Sequence, residues 1–202
     1  MGFFQNTCKP KGIGGSLMVS LMNRGHAAVS RWGLEQITFT ETDNVLDIGC
    51  GGGANVGRML RLCPRGFVTG IDYSAVSVDA ARDHNRREIA QGRCLVLQAD
   101  ISHFVYPDNV FNVVTAFETV YFWPDPMRCF RSIHRFLKPG GTFLICNESD
   151  GEQEKDEKWL RKIQGMTIYT DDQLRGFLRG AGFRDIIIRK KGNGWLAVIA
   201  RK

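Results

Sequence analysis

The sequence predicts an α/β fold: a mostly parallel sheet with helices on both faces and an antiparallel hairpin at its C-terminus. Three observations carry that expectation. From Asn44 onward, short apolar runs alternate with stretches of helical periodicity, the pattern of βαβ units whose strands are covered on both sides. The first run passes into a glycine loop, Val-Leu-Asp-Ile-Gly-Cys-Gly-Gly-Gly at 45–53, and the second closes on Asp72. Near the end, two β-rich runs are joined across Gly192-Asn193-Gly194, a hairpin signal.

Taken in order, residues 1–15 read as a loop hinged at Gly12, Gly14 and Gly15. Ser16 can cap a helix over 16–32, where Leu17, Leu21, Ala28, Val29 and Trp32 recur at helical spacing and Gly33 is a stop. A strand over 44–48 leads to a helix over 54–62 that ends at Cys63-Pro64. A strand over 67–71, a helix over 75–90 stopped by Gly92, and a strand over 94–98 follow. Pro107-Asp108-Asn109 turns the chain into a strand over 111–116. A helix over 127–136 comes next, and Pro139-Gly140-Gly141 makes a sharp turn into a strand over 142–146. The charged stretch 150–158 reads as an exposed loop or helix start. Thr170-Asp171-Asp172-Gln173 caps a helix ending near Gly180, and strands over 183–189 and 195–200 finish the chain. The expected organisation is a single domain over 1–202. Residues 1–40 form an N-terminal lid with helices, 41–148 the binding core, and 149–202 a charged helix, the capped helix and the hairpin.

At 202 residues with 43% apolar and 24% charged content, the chain suits one globular domain. No apolar run approaches the ~20 residues that span a bilayer, and Met1–Lys11 lacks the apolar core of a secretory signal. A myristoylation reading of Met1-Gly2 fails because Asn6 stands where Ser or Thr is required. The six cysteines form no C-x-x-C pair, which argues against a zinc ribbon or a thioredoxin-like site and for reduced thiols in a cytoplasmic protein. The net charge of +6 is spread along the chain. Arg82, Arg86 and Arg87, and Arg184, Arg189, Lys190 and Lys191, read as solvated faces rather than a polyanion site.

The glycine loop lets the backbone turn tightly and lets a ligand approach it. The helix after it offers unpaired N–H groups at its positive end, and an acid ending the next strand suits a ribose diol. The unit is therefore read as nucleoside-binding, with its site at the carboxyl ends of the strands.

Together, Val45–Val56 (VLDIGCGGGANV), Gly70–Ser74, Gln98–Ile101, Phe111–Ala116 and Leu137–Phe143 (LKPGGTF) resemble the class I S-adenosylmethionine-dependent methyltransferases. The resemblance covers residues 40–148 and is greatest to small-molecule enzymes of the quinone-biosynthesis-like group. It implies a Rossmann-like, seven-stranded sheet whose last strand is antiparallel. S-adenosylmethionine is the implied cofactor, S-adenosylhomocysteine the product, and a small-molecule acceptor the partner. By the same resemblance Asp47, Gly49, Cys50 and Gly51 lie beside the methionine part, with Asn55 just inside the helix. Asp72 accepts the ribose hydroxyls, Tyr73 and Ser74 follow it, Asp100 accepts the adenine amino group, Ile101 packs on the ring, and Phe117 meets the methionine end.

In-line methyl transfer asks mainly for positioning, and a base only where the nucleophile must lose a proton; no metal is expected. Acceptor-side candidates follow the strand at 111–116. Glu118 can orient the acceptor, take its proton or offset the sulfonium, while Tyr121 and Trp123 can wall the pocket. Met18, Met22 and His26 share one helix face, with His26 a candidate base and Met22 a substrate contact; Glu148 follows the strand at 142–146. Each has a plainer alternative. Asp47 can simply satisfy loop amides, Tyr73, Tyr121, Trp123 and the methionines can be core, and Glu118 and His26 can be surface groups. His134 is read as structural. The chain lacks the Asn/Asp-Pro-Pro-Tyr/Phe motif of amino-directed nucleic-acid enzymes and the Pro-Cys of cytosine C5 enzymes, which argues against a nucleic-acid partner. An RNA or protein acceptor and a non-catalytic cofactor-binding module stay as alternatives. A nicotinamide oxidoreductase is disfavoured by the missing G-x-G-x-x-G spacing. Monomer and homodimer are both left open.

Overall fold

The apolar runs are rich in Val, Ile, Leu and Phe, which suit strands buried on both faces. The computed structural model describes residues 25–202, and it turns these runs into β1 (Asn44–Ile48), β2 (Phe67–Asp72), β3 (Cys94–Gln98), β4 (Phe111–Phe117), β5 (Leu137–Asn147), β6 (Arg184–Lys191) and β7 (Trp195–Arg201). Among the described residues these seven form one sheet in the order β3-β2-β1-β4-β5-β7-β6. The first five pair in parallel, while β7 runs antiparallel between β5 and β6. From β1 the chain builds outward to β2 and β3, then returns to add β4 and β5 on the other side. The crevice at the carboxyl ends of β1 and β4 is the switch point where such sheets bind ligands.

The helices are α1 (Ala27–Leu34), α2 (Ala54–Leu62), α3 (Ala75–His84), α4 (Arg86–Ala90), α5 (Pro126–Phe136), α6 (Glu154–Lys162) and α7 (Asp171–Gly180). One face of the sheet buries Val45, Val113 and Leu144 against Val29 of α1, Val56 and Met59 of α2, and Val78 and Ala81 of α3. The other buries Leu46, Val114 and Phe143 against Phe130 and Ile133 of α5 and Leu174 and Leu178 of α7. Alternation along each strand divides the two sets. α1 is held over the ends of β4 and β5, where Cys146 Sγ lies 3.6 Å from Val29 O. Among the described residues no helix is long and apolar enough to cross a membrane.

The fold class agrees with the sequence expectation, and several details depart from it. The helix expected over 75–90 breaks at Asn85, whose buried side-chain amide donates to Gly53 O (3.1 Å) and Ala81 O (2.9 Å). The turn expected at 139–141 is absorbed into β5 as an irregularity. Leu137 pairs with Phe111 and Thr142 with Val113, and Gly140 takes φ +74°. The acidic stretch is not wholly exposed: Asp150 and Asp156 are buried. Asp156 accepts from the Gly151 and Gln153 amides and so anchors the start of α6. The helix expected over 16–32 lies partly outside the described residues, and its described part ends at Leu34 rather than Trp32. Met18, Met22 and the hinge at 12–15 lie outside them altogether, as does Cys8. The five described cysteines are free and buried.

Asn85 ties α3 to the glycine loop through a contact across 32 positions of sequence. Asn85→Ala removes two buried side-chain hydrogen bonds, while Gly53 O keeps the Gly57 amide and Ala81 O the amide of residue 85, and is expected to cost about 1–3 kcal/mol. Urea unfolding checks this, as a lower midpoint at unchanged slope.

Candidate active site

The loop after β1 is fastened to β2 by its own backbone. The amides of Gly49 and Cys50 both donate to Ile71 O, at 2.8 and 3.0 Å. Gly49 has φ +69°, and a Cβ there would collide with the Thr119 hydroxyl. Gly53, φ +78°, begins α2, and a Cβ there would meet Asn85 Nδ2 at 2.5 Å and Ala81 Cα at 2.9 Å. Both positions therefore demand glycine twice over, for dihedral and for space. Asp72 closes the knot: its Oδ2 accepts from Gly51 N and its Oδ1 from Ser74 N, each at 2.9 Å. Burial raises its pKa, while the two amides favour the ionised form.

Three recesses meet along this sheet edge. The first is lined by the loop 49–52 together with Asn55, Arg58, Asp72, Tyr73, Phe117, Glu118 and Thr119, with His26 and Ser30 of the α1 segment above. The second holds Asp100, Ile101, Ala99 and Trp123 and shares Gly49, Asp72, Tyr73, Thr119 and Phe122 with the first. The third is lined by Tyr121, Glu148, Ser149, Trp159, Ile163 and Met166 and shares His26, Glu118 and Phe122 with the first. The result is a continuous groove with a side chamber. Among the described lining residues, four carboxylates (Asp72, Asp100, Glu118, Glu148) face a single guanidinium, Arg58. Arg58 Nη1 donates to Asn55 Oδ1 at 2.7 Å; burial, then the neighbouring Arg31 and Arg61, lower its pKa.

Most of the expected site residues line this groove: Gly49, Cys50, Gly51, Asn55, Asp72, Tyr73, Asp100, Ile101, Phe117 and Glu118, and, in the chamber, His26, Tyr121 and Glu148. Four deserve separate placement. Asp47 is 1% exposed and is not a lining residue. Its Oδ1 accepts from the Thr115 hydroxyl at 2.7 Å, Oδ2 has no partner, and burial raises its pKa to about 7. Ser74 caps α3, accepting from Ser77 N, rather than facing the groove. Trp123 lines the second recess instead of the third, because the 3₁₀ turn at Val120–Phe122 sends it back against Phe130 in the core. Tyr121 presents a wall but no free hydroxyl. It is 3% exposed, and its oxygen lies 3.2 Å from Ser149 N, which donates to it, and 3.5 Å from Ser149 O. Burial pushes its pKa well above the ordinary value, so it is poorly suited to shuttling protons.

Glu118 adopts φ +56°, its amide donating to Cys146 O at 3.0 Å and its Oε1 accepting from the Glu148 amide. His26 Nε2 lies 4.0 Å from Glu148 Oε2; burial lowers the His26 pKa, and the Glu148 carboxylate opposes that shift. One ligand atom from each of His26, Glu118 and Glu148 lies within 4.8 Å of the other two, close enough to hold a cation. Sequence spacing gave no sign of this set, since its members are distant in the chain. Arg58 and Trp159 are lining residues that the sequence did not single out, whereas Thr119 and Phe122 lie among the residues after β4 expected on the acceptor side. Arg58 is three residues beyond Asn55, on the same helix face.

Residues 46–145 match a family model described as a methyltransferase domain. The chain is 31% identical over 163 residues to a phosphoethanolamine N-methyltransferase of Triticum aestivum, an alignment covering 78% of this chain and 31% of the relative. It is 33% identical over 147 residues to the 27-O-demethylrifamycin SV methyltransferase of Amycolatopsis mediterranei, covering 69% of this chain and 53% of the relative. The chain thus spans between a third and about half of these relatives' lengths. A structure of Haemonchus contortus phosphoethanolamine N-methyltransferase 2, in complex with phosphomonomethylethanolamine and S-adenosylhomocysteine, superposes with a TM-score of 0.82 at 17% identity, covering 100% of this chain and 61% of that one.

The burial of Asp47 has a measurable consequence. A carboxyl whose pKa is raised on folding contributes stability below its unfolded pKa, and that contribution is lost as pH rises through the folded value, here from about 4 to about 7. Asp47→Asn cannot ionise. Its melting temperature relative to the parent is expected to climb between about pH 4 and about pH 7 and to level off above that, as followed by thermal denaturation at several pH values.

Proposed function

Because the chain belongs to the class I S-adenosylmethionine-dependent methyltransferase family, we propose that it transfers a methyl group from S-adenosylmethionine to a small-molecule acceptor. The observation that carries this reading is the pinned Asp72 carboxylate on the groove between the glycine loop and the Asp100 recess. The donor set fits the group. An acid at the end of β2 suits a vicinal diol, and a second acid at Asp100, beside Ile101 and Tyr73, suits an amino-substituted ring. The guanidinium of Arg58 suits a carboxylate. The group, when bound, supplies a methyl on a positively charged sulfur.

In this reading each residue has a separate task. Asp72 accepts from both ribose hydroxyls, its orientation fixed beforehand by Gly51 and Ser74 amides. Asp100, its Oδ1 already accepting from the Ser102 amide and hydroxyl at 2.9 and 2.7 Å, takes the adenine amino group, and Ile101 and Trp123 exclude water there. Arg58 meets the methionine carboxylate. Glu118, which lines both groove and chamber, sits where the positive charge must lie and orients the acceptor. His26 accepts a proton from an acceptor that must lose one. Alignment of the two reactants supplies most of the acceleration in such a reaction.

Isothermal titration with S-adenosylhomocysteine is expected to give a dissociation constant in the micromolar range or below; no binding would sink the proposal. Asp72→Ala, with its fold verified by thermal melting, is expected to weaken that binding by about tenfold or more, the loss of one to two charge-assisted hydrogen bonds.

A further inference from the structure

We infer that the chamber beside the nucleoside groove accepts an amine nitrogen as its methyl acceptor, because His26, Glu118 and Glu148 converge there from three separate elements over an aromatic wall. The inference rests on the methyl-transfer reading above and goes further, to the chemical class of the nucleophile. Glu118 follows β4, Glu148 follows β5 and His26 precedes α1, yet an atom of each lies within 4.8 Å of the others. Tyr121 and Phe122, Ile163 and Met166 supply an apolar surround. Thr167 N donates to Tyr121 O at 2.8 Å and so holds the 163–167 segment against the 3₁₀ turn.

Charge decides between nucleophiles. A phenolate, thiolate or carboxylate brings negative charge toward two carboxylates and is repelled on entry. An amine attacks as a neutral group and becomes positive as the new bond forms. Because that charge moves there from sulfur, a carboxylate that lines the chamber but not the groove, as Glu148 does, stabilises the transition state more than the ground state, the differential that accelerates a reaction. The nitrogen lone pair forms the N–CH₃ bond, and the S–CH₃ bond breaks with its electron pair retained by sulfur. The resulting ammonium then releases one proton. His26 stands 4.0 Å from Glu148 and can take that proton, the imidazolium then resting beside a carboxylate. Burial favours the neutral imidazole beforehand.

The test uses the full chain saturated with S-adenosylhomocysteine, to which three probes of matched size are added: phenyltrimethylammonium, benzyl alcohol and benzoate. Calorimetry or ligand-observed NMR gives the affinities. The expected result is that the cation binds about tenfold tighter than the alcohol, with benzoate weakest. Glu148→Gln and, separately, Glu118→Gln are each expected to cut the cation's advantage about fivefold or more. Melting curves and S-adenosylhomocysteine affinities of both variants identify any folding defect. Benzoate binding as well as the cation overturns the inference, as does a preference unchanged in both variants or no probe binding at all. Micromolar Mn²⁺ or Zn²⁺ binding that disappears in Glu148→Gln also overturns it, by making the triad a metal site. If S-adenosylhomocysteine itself fails to bind, the methyl-transfer reading falls and this one falls with it. If it binds, only the acceptor class is at stake.

Discussion

The site depends on one backbone constraint: the loop leaving β1 must fold flat against the end of β2. Two consecutive amides, Gly49 and Cys50, share the Ile71 carbonyl, and Asp72, the next residue, reaches back to the Gly51 amide. Three successive N–H groups are thereby satisfied by adjacent residues of a neighbouring strand. This fixes the carboxylate without any help from a ligand. It also explains why side chains are excluded at Gly49 and Gly53, where Thr119 and the α3–Asn85 contact press from opposite sides. A loop that gave way here would release the β1–β2 crevice, the start of α2 and the orientation of Asp72 together.

Two acids end up close to that knot, both with pKa values raised by burial but with different hydrogen-bond partners. Asp72 receives two backbone amides, which favour its charge against burial. Asp47, one strand inward, receives only a hydroxyl and keeps an oxygen with no partner. Deeper burial and a single hydroxyl donor raise the Asp47 pKa to about 7, whereas at Asp72 the two amides oppose the upward shift that burial causes. Nothing in the sequence separates the two, because both are acids near the end of an apolar strand.

The backbone-built half of the site was legible and the side-chain-built half was only partly so. Glycine loop, strand-end acids and the alternation of strands were readable because each is a local pattern whose geometry follows from a few adjacent residues. The break at Asn85 was not, since its amide answers a carbonyl 32 positions away and a propensity reading sees only a continuous helix. Asp156 looked like one charge in an exposed run, yet it is buried by the two amides that it caps. Tyr121 and Trp123 were grouped because they are near in sequence. The 3₁₀ turn between β4 and α5 separates them, sending one to the acceptor chamber and the other to the Asp100 recess. Turn type, not composition, decides which aromatic lines which recess.

This division has a consequence for how such a site can change. The donor groove is made of strand ends in register, where altering one residue disturbs the pairing of β1 with β2 and β4. The chamber is assembled from residues at the edges of α1, the 3₁₀ turn, β5 and α6, each contributing side chains rather than backbone. Of these, the less buried positions can change with least cost to the core, whereas Tyr121 and Ile163 are themselves buried. Glu118 is the point where the two halves meet. Its φ of +56° aims the carboxylate so that it accepts from the Glu148 amide while facing groove and chamber together. A strained conformation in a non-glycine residue persists only where its surroundings hold it. Here the Cys146 carbonyl and the Glu148 amide do so, both belonging to β5 and its end. The chamber is thus joined to the sheet at Glu118, after β4, and at Glu148, directly after β5.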